Sequence, residues 1–253
     1  KNAIQIDPKY AEARYQLGLT YLKTGETKNA FQELQRAASL DPSNYDALLK
    51  TAEFLLLSQQ PAESRQQVGK ILAARPDHAE ALAVLSNIEL TEGNIDKAQE
   101  ALTKALASEP KLDRLYILQS RIYTVQKKYE LAEQALLKAV ELSPEKMSTH
   151  QTLTAFFLSR KEDEKAKDNL LNTVSAFPSS PVPLIELASF YMNRKEFPQA
   201  EVAIKKALAL EPDNERIPLY LVEFYKKTTN FSQAEETLKQ LITTSKNAMP
   251  MKA

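Results

Sequence analysis

The chain has 253 residues, with 33 Lys plus Arg against 33 Asp plus Glu, no cysteine and two histidines. A formal net charge of zero denies it the overall basic field with which nucleic-acid binders displace counterions. The missing cysteines remove disulfide frameworks, thiol nucleophiles and cysteine-based zinc sites, and four glycines amid abundant Ala, Leu, Glu, Lys and Gln favour helix over strand.

From the N-terminus onward, the prolines set the organisation. Pro8, Pro42, Pro76, Pro110, Pro144, Pro178 and Pro212 are each 34 residues apart, a coincidence with a chance on the order of 10⁻⁸ at ordinary proline usage. Phrases such as SLDPSN at 39–44, ELSPEK at 141–146 and ALEPDN at 209–214 are copies of one boundary. Other columns keep the register: a small one through Ala30, Ser64, Ala98, Ala132, Ala166, Ala200 and Ala234, and a large one through Leu34, Val68, Leu102, Leu136, Leu170, Ile204 and Leu238. A third runs through Tyr21, Leu55, Glu89, Tyr123, Phe157, Tyr191 and Tyr225.

The first period reads AEARYQLGLTYLKT, then GE, then TKNAFQELQRAASL: two amphipathic helices of about a dozen residues by their 3.6-residue spacing. The same pair is predicted over 11–44, 45–78, 79–112, 113–146, 147–180, 181–214 and 215–248. Small residues let the two helices approach while large ones fill the space between them. Proline cannot donate to a continuing helix and so separates one pair from the next; Asp, Ser or Asn beside it is placed to cap the helix that follows. No strand pattern interrupts this, and the fold expected is all-α.

The pattern resembles the tetratricopeptide repeat (TPR), whose signature Leu17, Gly18, Tyr21, Ala30, Leu34, Ala37 and Pro42 match, with Arg14 in the place of the signature tryptophan. The resemblance implies a right-handed superhelical solenoid of antiparallel helix pairs. Only Gly18 keeps the signature glycine; Ala52, Ser86, Ser120, Thr154, Ala188 and Val222 follow, and Val222, the largest, is expected to push its pair apart. Residues 1–10 are expected to be the tail of a truncated preceding repeat, and 249–253 a short tail, as though the chain were cut from a longer array.

No nucleotide-binding or hydrolase motif is present, His78 and His150 lack a shared carboxylate partner, and nothing supports catalysis, a metal or a cofactor. The family resemblance places ligand contacts on the first helix of each repeat, at positions 2, 5, 9 and 12. The candidates are Tyr15, Leu19, Leu49, Glu53, Asn87, Arg114, Ile117, Arg121 and Gln151. Such a surface suits an extended peptide or a helix of a protein partner. Arg114 and Arg121 either hold a ligand carboxylate or pair with Glu80 and Glu53. The carboxylate clamp of chaperone-tail adaptors is not matched, because Asn87 is present but Ala83 stands where that clamp needs lysine.

The function expected is a non-catalytic protein-binding scaffold. Alternatives are a substrate-presenting array of a larger enzyme such as a glycosyltransferase, and a self-assembly module acting through exposed ends. The phrasing is also similar to bacterial TPR lipoproteins of the PEP-CTERM and exopolysaccharide export type, which favours the bacterial envelope over the cytoplasm, although a chain without cysteine suits both. No run of apolar residues in the sequence is long enough for a membrane span.

Overall fold

The computed structural model describes residues 6–248, with side chains through Thr243. The expected tails over 1–5 and 249–253 lie outside the described residues. Fourteen α-helices and no strand are present among them, so the all-α expectation holds. They fall into two compact blocks, divided after Leu142.

The first block holds α1 (Ala11–Lys23), α2 (Thr27–Leu40), α3 (Tyr45–Leu57), α4 (Pro61–Ala74), α5 (Ala79–Thr91), α6 (Ile95–Ser108), α7 (Asp113–Val125) and α8 (Tyr129–Leu142). The second holds α9 (Met147–Ser159), α10 (Asp163–Ala176), α11 (Val182–Asn193), α12 (Phe197–Leu210), α13 (Arg216–Lys227) and α14 (Phe231–Ala248). Within each block consecutive helices pack as pairs, and each pair stacks on the next. The helix α14 runs on through Lys246, where the register lacks its proline.

Each spaced proline occupies the second position of a tight turn. Asn44 N donates to Asp41 O at 3.1 Å, and the same bond recurs from His78 to Arg75, Leu112 to Glu109, Lys146 to Ser143, Ser180 to Phe177 and Asn214 to Glu211. Proline presets the φ that this position wants. In SLDPSN the Asp41 carboxylate accepts from the Ser43 hydroxyl at 2.6 Å and the Ser43 amide at 2.9 Å, which holds its pKa below the ordinary value. Asn44 then caps α3 by accepting from Ala47 N, and His78 Nδ1 caps α5 in the same way.

The turn inside each pair shows a second regularity that the sequence hid. Gly25, Gln59, Gly93, Lys127, Lys161, Lys195 and Thr229, again 34 apart, all have positive φ between 58° and 80°. Each is followed by an amide that reaches back to the tyrosine-column carbonyl, as Glu26 N does to Tyr21 O and Asn230 N to Tyr225 O. This is a Schellman closure of the first helix. Only two of the seven are glycine, so the others carry left-handed strain.

How closely the helices of a pair approach varies along the signature-glycine column. Pairs with Gly18, Ser86 or Ser120 are tightest, those with Ala52 or Ala188 intermediate, and those with Thr154 or Val222 most open. A Cβ on Gly18 would stand 2.7 Å from Leu34 Cγ. Val222 opens its pair as expected, and Thr154 opens its own as much.

Three of the seven residues in the tryptophan column act alike despite differing in type. Arg14 Nε donates to Pro8 O at 2.8 Å, Tyr116 OH to Pro110 O at 2.8 Å, and His150 Nε2 lies 3.0 Å from Pro144 O. Each anchors its helix to the proline turn six residues before it.

Candidate functional site

The inner-helix candidates of the first block come from α1, α3, α5 and α7. Arg114 Nη2 lies 2.7 Å from Glu80 Oε1, and its Nη1 lies 3.5 Å from Glu53 Oε1. Glu53 also takes Lys50 Nζ at 2.7 Å. The Glu80 contact is an ion pair without hydrogen-bond alignment, and Arg114 Nε is buried with no acceptor. Arg121 goes elsewhere: its Nη1 donates to Asn87 Oδ1 at 2.6 Å. Of the two fates the sequence allows, Arg114 thus pairs with the glutamates and Arg121 does not.

Tyr15, Leu19 and Ile117 are half-buried, and Arg121 is exposed. Burial, then Asp46, Glu12 and Glu80, push the Tyr15 phenol above its ordinary pKa, so one end of this surface carries negative potential. Leu49 must be corrected: it is only 2% exposed and belongs to a core in which Tyr15 also packs. At Leu49 the helix turns its fifth position into the stack, so it offers a ligand no surface.

In the second block Gln151 is exposed and donates to Glu186 across α9 and α11. With Ala155, Leu158, Ser189 and Phe190 it lines a cavity of about 310 Å³. Arg194 closes one side, stacked 3.6 Å over the Phe190 ring and paired with Asp163.

Two buried polar arrangements escaped the sequence reading. Glu89 stands in a column otherwise of tyrosine, phenylalanine and leucine, is 6% exposed, and pairs with Arg65 of the preceding repeat. Asn94 also donates to it, and the Arg65 hydrogen bond, ahead of these other contacts, holds its carboxyl below the ordinary range. Its oddity within the column was the available signal. In the second block Asn169 Nδ2 donates to His150 O at 2.9 Å and Thr154 Oγ1 at 2.7 Å, and Thr173 Oγ1 donates to Asn169 O at 2.7 Å. Polar residues in small-residue columns were the signal there. Both arrangements join helices, and Thr154 also lines the cavity beside Gln151.

Models of the tetratricopeptide repeat match residues 21–88 and 194–248 and, for a further such model, 84–146; a TPR repeat model matches 1–25. The chain belongs to the tetratricopeptide repeat family. Residues 147–193 fall outside these matches, and that segment holds His150, Thr154, Asn169 and Thr173. No curated protein sequence gives a significant match.

Among solved structures, the chain is similar to yeast Tom70, with a TM-score of 0.70 and 15% identity over 95% of this chain and 52% of that one. It is also similar to the Cut9–Hcn1 tetramer of the APC/C, at 0.62 and 16% over 88% of this chain and 44% of that one. PilF of Pseudomonas aeruginosa matches at 0.55 and 25%, over 78% of this chain and 90% of that one. The chain therefore spans about half the length of the two larger proteins. The likenesses to Tom70 and Cut9 establish the fold. No match supports the narrower resemblance to export lipoproteins. Among the described residues no helix is long and apolar enough to cross a membrane.

Proposed function

We propose that the protein is a non-catalytic scaffold that binds an extended segment of a partner protein along α1, α3, α5 and α7 of the first block. The observation that carries this reading is the pair of arginines on one face of α7: Arg114, one-third exposed between two glutamates, and Arg121, exposed and held by Asn87. A ligand carboxylate would pair with Arg121, with Arg114 as a neighbouring cation. The acidic end around Glu12, Asp46 and Tyr15 favours a basic residue on the same ligand. An envelope setting rests on sequence phrasing alone and is checked by fractionating cells.

Selection of displayed peptides against the whole chain tests this reading. Selected peptides should carry an acidic residue and lose binding to Arg121→Glu, while a chain with a substitution in the second block retains them. Peptides that bind wild type and Arg121→Glu equally well would place recognition elsewhere.

A second reading, self-assembly, is favoured by α14. Leu238 is 38% exposed although its column is buried in every earlier repeat, and Phe231 and Ile242 are exposed beside it. Light scattering across concentration checks it: a monomer at all concentrations removes this reading.

A further inference from the structure

A second hollow in the second block, of about 360 Å³, lies where α10, α11 and α12 meet, and shares no lining residue with the cavity on α9 and α11. Its floor is Leu184, Leu187 and Ala203, nearly fully buried. Its two walls are Leu171, 42% exposed, and Val202, 54% exposed, with Lys206 at the rim.

The repeats themselves supply the control. At the position of Val202 the other six have Gln32, Gln66, Glu100, Gln134, Asp168 and Glu236. Within the blocks, the wall pairs equivalent to Leu171 and Val202 are Gln35 with Gln66, Gly69 with Glu100, Thr103 with Gln134, and Lys205 with Glu236. Each of these pairs carries at least one polar residue, whereas here both walls are apolar.

The cation beside it is stranded. Of its counterparts, Lys104 pairs with Glu100 at 2.7 Å, and Arg36, Lys70 and Lys138 find Glu33, Gln67 and Glu141. Lys206 has Val202 and Ala203 in the corresponding places and makes no ion pair or hydrogen bond among the described residues. Both walls here are apolar, and the adjacent cation has no counter-ion. Both changes would be satisfied by one ligand, an apolar side chain with a carboxylate beside it.

We infer that the hollow walled by Leu171 and Val202 is a docking site for an amphipathic helix of a partner protein, which seats an apolar side chain between them and pairs a carboxylate with Lys206. The match is one of charge and polarity: the helix supplies what Glu100 supplies within its own repeat. This site is on second helices of repeats and does not depend on the first-block surface proposed above.

The test uses the whole chain and a labelled alanine-rich helical peptide of about 16 residues, carrying one leucine with a glutamate four positions on, read by fluorescence anisotropy. Replacing the peptide's leucine by alanine should weaken binding at least about tenfold. Replacing its glutamate by lysine should weaken it about threefold, and Lys206→Glu should reverse that charge preference. Val202→Glu should abolish binding while leaving the circular dichroism unchanged; Leu171→Gln serves if that variant does not fold. The inference is overturned if the wild type binds none of the peptides or all equally, or if Val202→Glu binds as well as wild type. It is equally overturned if light scattering shows a dimer that Val202→Glu disperses, because the occupant would then be a second copy.

Discussion

The two blocks build the same helix pair with different interior chemistry. In the first, the polar intruder is ionic: Arg65 and Glu89 stand where Phe31 and Leu55 stand one repeat earlier. In the second it is neutral: Thr154, Asn169 and Thr173 form a chain of hydrogen bonds where the next repeat has Ala188, Ala203 and Ala207. Both are tolerated because each buried polar group has a partner. The difference is that the ionic pair depends on pH and the neutral network does not. The repeat therefore constrains size and register in its columns, and accepts polarity wherever a neighbour can satisfy it.

The largest expected effect tests the ionic half of this contrast. Glu89→Ala leaves Arg65 without its buried partner, and breaking a buried pair costs about 3–5 kcal/mol. Because the Arg65 side chain is 38% exposed and keeps Glu92 at 2.6 Å, about 2 kcal/mol is expected after water and Glu92 take up part of that charge. Urea titration at neutral pH measures it. The pH dependence has a definite sign. The folded-state pKa of Glu89 is depressed, so its contribution is complete above the ordinary glutamate value of 4.5. It is lost as pH falls through the lowered value. Glu89→Ala should therefore flatten the acid limb of the stability profile. Installing the combination of Gln99 and Tyr123, as Arg65→Gln with Glu89→Tyr, should recover most of the loss.

The neutral half predicts a smaller change. Asn169→Ala removes two donated hydrogen bonds, but the Thr154 hydroxyl is free to turn toward His150 O, so a loss of about 1–2 kcal/mol is expected. Adding Thr154→Ala reproduces the pairing of Ala188 with Ala203 in the next repeat and should return part of it. A double-mutant cycle by thermal melting gives the coupling. Additive losses would show that the network is not a unit.

The smallest effect is a gain. Thr229 is β-branched and holds φ at 58°, where Gly25 and Gly93 stand in their own repeats. Thr229→Gly should stabilise the last pair by about 0.5–1 kcal/mol, net of glycine's greater freedom in the unfolded chain. Hydrogen exchange on α13 and α14 would localise the gain.

Much of the fold was legible because repetition multiplies a weak signal. One proline predicts little, whereas seven in register located every helix pair to within a residue or two. The size of Val222 predicted that its pair would open, whereas the equal opening at Thr154 was not foreseen. The candidate surface was less legible. Position 5 of the inner helix is half-buried at Tyr15 and buried at Leu49, because the depth of a side chain depends on what the neighbouring pair presents. Arg114 and Arg121 share a helix face, yet one meets glutamates and the other Asn87, a choice made by side chains 34 or more residues away.

The sequence by itself determined the period, and with it the helix boundaries, the turn at each proline and the columns that face inward. These follow from local rules, namely proline's fixed φ and the 3.6-residue helical period, which act over a few residues. Only the tertiary structure decided the rest: the left-handed closure at non-glycine residues, the burial of Glu89 against Arg65, and Lys206 left without a partner. Those outcomes depend on which atoms of another repeat come within hydrogen-bond distance, and that distance is set by packing between helices rather than along them.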